Sequence, residues 1–136
     1  MVYYMKYFIT FLLFFYSTIN FSQVDKSLLS DINSIESKVI EWRHYFHENP
    51  ELSNREFNTG KKIADHLKKL GLNVTTNVAH TGVIGILEGD LPGKVVALRA
   101  DIDALPVTER NDLPFKSIVK TTFLGQETGV MHACGH

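Results

Sequence analysis

Four consecutive apolar residues, followed at once by charges, constrain the fold of this chain more than any other feature. Val95–Leu98 has no polar position, which is typical of a strand buried inside a sheet. The charged stretch that contains Asp101 and Asp103 continues directly from it. Charged residues at the C-terminal end of a buried strand are typical of a site at the edge of an α/β sheet. The sequence therefore predicts an α/β domain with a candidate site beside the two aspartates.

Two helices and two short strands are predicted before this strand. Apolar residues recur at steps of three and four over 28–46, and Asn49-Pro50 ends that helix. A capping box of Ser53 and Glu56 predicts the start of a second helix, and Gly71 predicts its end. Apolar stretches at 72–78 and 83–87 predict strands. We therefore expect residues 23–136 to be an incomplete α/β domain, with two helices before a mixed sheet.

The first 22 residues have the pattern of a secretory signal peptide. Lys6 precedes an apolar run at 7–16, and small and polar residues follow. The run has about ten residues, fewer than the ~20 that span a bilayer. An uncleaved membrane anchor is the alternative. We predict export to the periplasm or medium, cleavage near Ser22 or Gln23, and no stable membrane span after cleavage.

The charge and the cysteine content exclude a nucleic-acid-binding protein and a protein held together by internal disulfides. Removal of residues 1–22 takes away Lys6 and no acid, which leaves 13 basic and 15 acidic residues. That balance provides no basic surface for nucleic acid. The single cysteine, Cys134, excludes an internal disulfide framework. Its thiol is therefore free, paired with another chain, or bound to a metal.

The last five residues contain the candidate metal ligands. Cys134 and His136 offer a thiolate and an imidazole, which zinc and similar divalent ions bind, and Gly135 between them adds no bulk. By itself the pair also fits a buried thiol beside a surface imidazole. His132 is a candidate supporting residue that holds a neighbouring backbone group or a ligand. The pattern thus indicates half of a metal site.

Carboxylates and a histidine pair supply the other candidate groups. Asp101 and Asp103 project in the same direction and can orient a ligand imidazole or bind metal directly, and the alternative is a turn with solvated acids. His44 and His47 have the i, i+3 spacing of a helical metal site. We prefer a structural role for these histidines. In that role the two histidines form a hydrogen-bonding cluster at the helix end with Arg43, Glu48 and Glu51.

Four spaced segments share the pattern of one enzyme family. They are Trp42–Ser53 with the following Glu56 and Thr59, Thr81-Gly82-Val83, Leu98–Pro106, and Gly129–His136. In this order they resemble the metal-dependent amidohydrolases that include N-acyl-amino-acid hydrolases, hippurate hydrolase and auxin-conjugate hydrolases. The resemblance implies a zinc-peptidase-like catalytic α/β domain, a smaller inserted domain that often mediates homodimerisation, and two divalent ions, zinc or manganese. It also implies hydrolysis of the amide bond of N-acyl-amino acids or related small amides and peptides.

The resemblance assigns roles residue by residue. Cys134 and His136 occupy the metal-ligand positions, and Asp103 the position of the acid that supports the site. Asp101 stands where other branches have a ligand histidine. The general base of the family lies in a later Glu-Glu pair, which no residue here matches. We therefore expect these 136 residues to be a truncated and inactive part of the enzyme, with a non-catalytic fragment or a small metal-binding or interaction module as the alternative.

Overall fold

The computed structural model describes residues 25–136, which form two helices and two antiparallel hairpins. The helices are α1, Lys26–Glu48, and α2, Phe57–Lys69. The strands are β1, Asn73–Val78; β2, Gly82–Ile86; β3, Lys120–Phe123; and β4, Gln126–Gly129. The predicted α/β class, both helices and the first two strands are confirmed. The predicted signal peptide lies outside the described residues.

The chain divides within α1 into two compact units, residues 1–37 and 38–136. The described part of the first unit is the beginning of α1. Its predicted apolar residues Leu28, Ile32 and Ile35 are about half exposed. Every other element belongs to the second unit. Between residues 25 and 136, neither helix combines the length and the apolar character that crossing a bilayer requires.

The N-terminus of α2 is capped by a residue that the sequence did not indicate. Ser53 lies in the preceding turn, and Glu56 is the N-cap residue without a side-chain capping bond, so the predicted capping box is wrong. Glu51 instead accepts hydrogen bonds from the backbone N–H groups of Asn58 at 3.2 Å and Thr59 at 2.8 Å. A carboxylate from the preceding loop thus satisfies the free N–H groups of the first turn.

The strand predicted at Val95–Leu98 is wrong for the described structure. No residue between 87 and 103 belongs to a strand, and Val95 and Leu98 are each 97% exposed. The prediction depended on burial of both faces, which requires neighbouring strands that complete the backbone hydrogen bonds. No residue from 25 to 136 pairs with this segment. Apolar character without a pairing partner does not make a strand here.

A small core lies next to the candidate site. Its buried apolar residues are Leu52, Ala104 and Val130, with Val119 packed against them. Leu52 forms a parallel bridge with Ala104, and Leu105 forms an antiparallel bridge with Met131. These two bridges join three parts of the chain that are distant in sequence. The core therefore fixes where the two predicted groups of site residues lie.

Candidate metal centre

Two backbone hydrogen bonds bring Asp103 to the segment 132–136. The Leu105 N–H donates to the Met131 carbonyl and the Met131 N–H donates to the Leu105 carbonyl, each with an N···O distance of 3.0 Å. Asp103 precedes this anchored pair on one side, and His132 follows it on the other. The aspartates that follow the predicted strand and the terminal histidine segment therefore meet at one edge of the core.

His136 is held by the carboxylate that the sequence indicated. Its Nδ1 lies 2.7 Å from Asp103 Oδ1. An ionised carboxylate only accepts hydrogen bonds, so Nδ1 carries the hydrogen and donates it. In the neutral ring Nε2 then keeps its lone pair, the form in which imidazole binds a metal, and such carboxylate–imidazole pairs are common behind metal-bound histidines. Asp101 Oδ2 lies 3.8 Å from Nε2, and Arg99 pairs with the other oxygen of Asp101.

Cys134 is an exposed free thiol, separated from His136 by Gly135. Between residues 25 and 136, no three His, Cys, Asp or Glu side chains converge as a metal site requires. Thiolate and imidazole are the donor types that zinc and similar ions prefer, and their sites use three or four protein ligands. The residues therefore fit a divalent ion in kind and offer two candidate ligands. Their roles, and those of the supporting residues, stay predictions.

His132 has an unusual environment for a polar ring. Both ring nitrogens are buried and have no hydrogen-bond partner in the described part of the chain. Burial lowers the pKa of His132, and the neighbouring charge of His47 lowers it further. The Asp103 carboxylate opposes this shift without cancelling it. The lowered pKa favours the neutral form of this ring.

A cavity of about 620 Å³ adjoins these residues. Its lining includes His132, Cys134 and His136, together with His47 of α1 and Glu109. Glu109 is not among the residues predicted for the site, because the segment around it has neither periodicity nor a recognisable motif. No local signal could have identified it, since its partners are distant along the chain.

The two histidines near the end of α1 have structural partners, but not the predicted ones. His47 Nε2 lies 3.0 Å from both carboxylate oxygens of Glu109. His44 stacks on Phe115 with ring centroids 3.8 Å apart. The predicted cluster with Arg43, Glu48 and Glu51 is therefore wrong in its partners, because the loop that carries residues 109–115 packs against this helix end and Glu51 caps α2.

Comparison of sequences identifies the relatives of this chain. The sequence profile of peptidase family M20/M25/M40 matches residues 97–136. Thermostable carboxypeptidase 2 of Saccharolobus solfataricus is 50% identical over 112 residues, which cover 82% of this chain and 26% of that protein. Hippurate hydrolase of Campylobacter jejuni is 40% identical over 110 residues, which cover 81% of this chain and 27% of that protein.

Solved structures agree with the sequence relatives. The Bacillus subtilis YXEP protein, described as a dinuclear metal-binding peptidase from the M20 family, matches with a TM-score of 0.64 at 40% identity, over 76% of this chain and 27% of that one. A crystal structure from methicillin-resistant Staphylococcus aureus matches with a TM-score of 0.71 at 42% identity, over 82% and 28%. The chain spans about a quarter of the length of the curated relatives it matches. In sequence and in fold the chain is therefore similar to proteins of peptidase family M20/M25/M40, and its residues 97–136 match the profile of that family.

Proposed function

We propose that this protein is a metal-dependent hydrolase that cleaves the amide bond of N-acyl-amino acids or related small amides and peptides. The observation that carries the proposal is the contact between His136 Nδ1 and Asp103 Oδ1, next to Cys134. It places an imidazole lone pair at one edge of the core, two residues along the chain from the Cys134 thiol. Both side chains lie within the residues that the family profile matches.

Each residue has a defined part in the proposal. Cys134 and His136 hold a divalent ion, Asp103 fixes the His136 ring in its metal-binding tautomer, and Asp101 faces the Nε2 side of that ring with its charge offset by Arg99. When bound, such an ion polarises the amide carbonyl and lowers the pKa of a water to about 7. We assign the general base to no residue of this chain.

Names of relatives guide the choice of substrate and metal. Two of them are hippurate hydrolase and an N-acyl-L-amino acid amidohydrolase of Geobacillus stearothermophilus, and hippurate is itself an acylated glycine. The YXEP protein is described as dinuclear. By extension we propose an N-acyl-amino acid substrate and two ions per subunit, zinc or manganese, in a homodimer. The thiolate of Cys134 favours the softer of the two ions, zinc.

Hydrolysis of hippurate and N-acetyl-amino acids by the purified protein, as its gene encodes it, tests the proposal. We expect amine release only after zinc or manganese is returned to chelated protein. Cys134→Ser should lower both metal content and rate. Asp65→Asn, which alters an exposed ion pair with Lys61 on α2, is the control and should change neither. Hydrolysis that survives chelation, or a Cys134→Ser variant with full metal content and rate, would overturn the proposal.

A small metal-binding or interaction module is the second candidate. Two donor side chains, Cys134 and His136, with no assigned general base favour it. We expect these 136 residues by themselves to be inactive, because they supply two ligands and no assigned base. Stoichiometric metal binding by the gene-encoded protein, without hydrolysis of any acyl-amino acid, would support the module over the enzyme.

We also propose that the protein is exported. The charged start, short apolar run and polar end of residues 1–22 support this. N-terminal sequencing of the protein recovered from the periplasm or medium should give a mature terminus near Ser22 or Gln23. A cytoplasmic protein that retains Met1 would contradict the proposal.

A further inference from the structure

We propose that Glu109 and His47 form a positioning pair that fixes the metal-binding segment 132–136, an inference that rests on the proposed function. His47 Nε2 lies 3.0 Å from both oxygens of Glu109. The Glu109 side chain is 0% exposed and that of His47 is 14% exposed. Burial of an ionic pair costs desolvation free energy that apolar residues of similar size avoid. Stability alone is therefore a weak explanation for a buried pair at this position.

Glu109 is connected to the metal-binding segment through one residue. The Ser117 N–H donates to Glu109 Oε2 at 2.6 Å, and the Ser117 hydroxyl donates to the Val130 carbonyl at 2.7 Å. Val130 is buried in the core, and His132 follows two residues later. The carboxylate thus helps to fix the point at which the segment leaves the core.

His47, the other member of the pair, lies beside the metal-binding segment. Its ring lines the same cavity as His132, Cys134 and His136. Phe115 meets the His47 ring edge-on, with centroids 5.8 Å apart, so the ring orientation is fixed by Glu109 and Phe115 together. A rigid imidazole at this position limits how far the segment can move into the cavity.

A structural role alone predicts a different result from a positioning role. If the pair only stabilises the fold, its removal lowers the free energy of unfolding and leaves the metal site of the folded protein unchanged. If it positions the segment, its removal changes the geometry at Cys134 even in fully folded protein. Residues that orient metal ligands typically change metal affinity by about 10–100-fold when substituted.

Cobalt substitution of the gene-encoded protein separates the two roles. For Glu109→Gln we expect Co²⁺ affinity to fall about 10–100-fold, with a shifted thiolate-to-cobalt absorption band. Glu127→Gln is the matched control, because Glu127 forms an exposed pair with Lys120, and should retain wild-type affinity and spectrum. Should Glu109→Gln fail to fold, Ser117→Ala removes the hydroxyl bond to Val130 and should shift the band in the same direction.

The possible results distinguish failure of the positioning pair from failure of the proposed function. A folded Glu109→Gln variant with wild-type affinity and spectrum would overturn the positioning pair and leave the proposed function intact. If Glu109→Gln does not fold, an unchanged spectrum of Ser117→Ala overturns it in the same way. A wild-type protein that shows no thiolate-to-cobalt band would overturn the proposed function, and the pair with it.

Discussion

The carboxylate of Asp103 and the imidazole of His136 are separated by 33 positions in sequence and meet at 2.7 Å. The contact is possible because Leu105 and Met131 pair between them. Asp103 lies within the motif 98–106, and His136 is the last residue of the motif 129–136. The two most specific parts of the sequence are therefore one site in three dimensions.

Asp103→Asn should weaken metal binding about 10–100-fold, because a neutral amide no longer fixes His136 by a charge-assisted hydrogen bond. Competition titration against a chelator measures the change. Asp65→Asn applies the same substitution to an exposed pair on α2 and should leave affinity unchanged. Equal affinity in the two variants would exclude a supporting role for Asp103.

Glu51→Ala should lower the free energy of unfolding by about 1 kcal/mol, because the first N–H groups of α2 lose their acceptor. Urea unfolding measures this. Glu127→Ala removes an exposed glutamate on β4 and should stay within about 0.5 kcal/mol of wild type. If Glu51→Ala matches that control, Glu51 does not cap the helix in solution.

The lowered pKa of Glu109 predicts how the free energy of unfolding depends on pH. Burial by itself raises the pKa of Glu109, but hydrogen bonds from His47 and Ser117 and the His47 charge outweigh burial, and the pKa lies below its ordinary value of 4.5. A carboxylate whose pKa is lower in the folded state contributes stability above the unfolded pKa and loses it as pH falls through the folded pKa.

The free energy of unfolding should therefore decrease as pH falls below 4.5, and Glu109→Gln should show a shallower decrease. Urea unfolding between about pH 6 and about pH 3 provides the two slopes. Glu127→Gln, whose glutamate is exposed, should follow the wild-type curve. A Glu109→Gln curve parallel to wild type would show that another group controls acid unfolding.

Gly129→Ala should destabilise the protein by about 1–3 kcal/mol, because overpacking forces backbone shifts. A Cβ atom at this position would lie 2.6 Å from Thr108 Cα and 2.8 Å from Thr108 Oγ1. Gly89→Ala is the control, since its Cβ would meet nothing within 4 Å. Thermal or urea unfolding compares the two, and equal stabilities would contradict the close packing of β4 on Thr108.

Local patterns predicted the elements that depend on local interactions. The helix over 28–46 follows from apolar spacing, and its end from Asn49-Pro50. Gly71, with φ of +83°, ends α2 as predicted. The turn between β3 and β4 was missed, because Leu124 and Gly125 adopt positive φ without the Asn-Gly sequence that marks such turns.

Predictions that depended on distant partners were less successful. The capping of α2 by Glu51 and the burial of Glu109 by His47 and Ser117 involve residues that no short motif connects. Val95–Leu98 has the composition of a buried strand, but strand formation depends on a pairing partner. The contact between Asp103 and His136 agrees with the expectation from the family resemblance, because family motifs encode distant geometry in short sequence. The metal-ligand roles of Cys134 and His136 stay predictions.

The bridge between Leu105 and Met131 has a consequence for folding kinetics. Bringing together segments so far apart requires loop closure, whose entropic cost slows the formation of distant contacts. We expect the hairpin of β1 and β2 and the helices to form before Asp103 meets His136. An interaction that is absent from the transition state changes the unfolding rate and not the folding rate. Bound metal should therefore slow unfolding while leaving the rate of folding nearly unchanged.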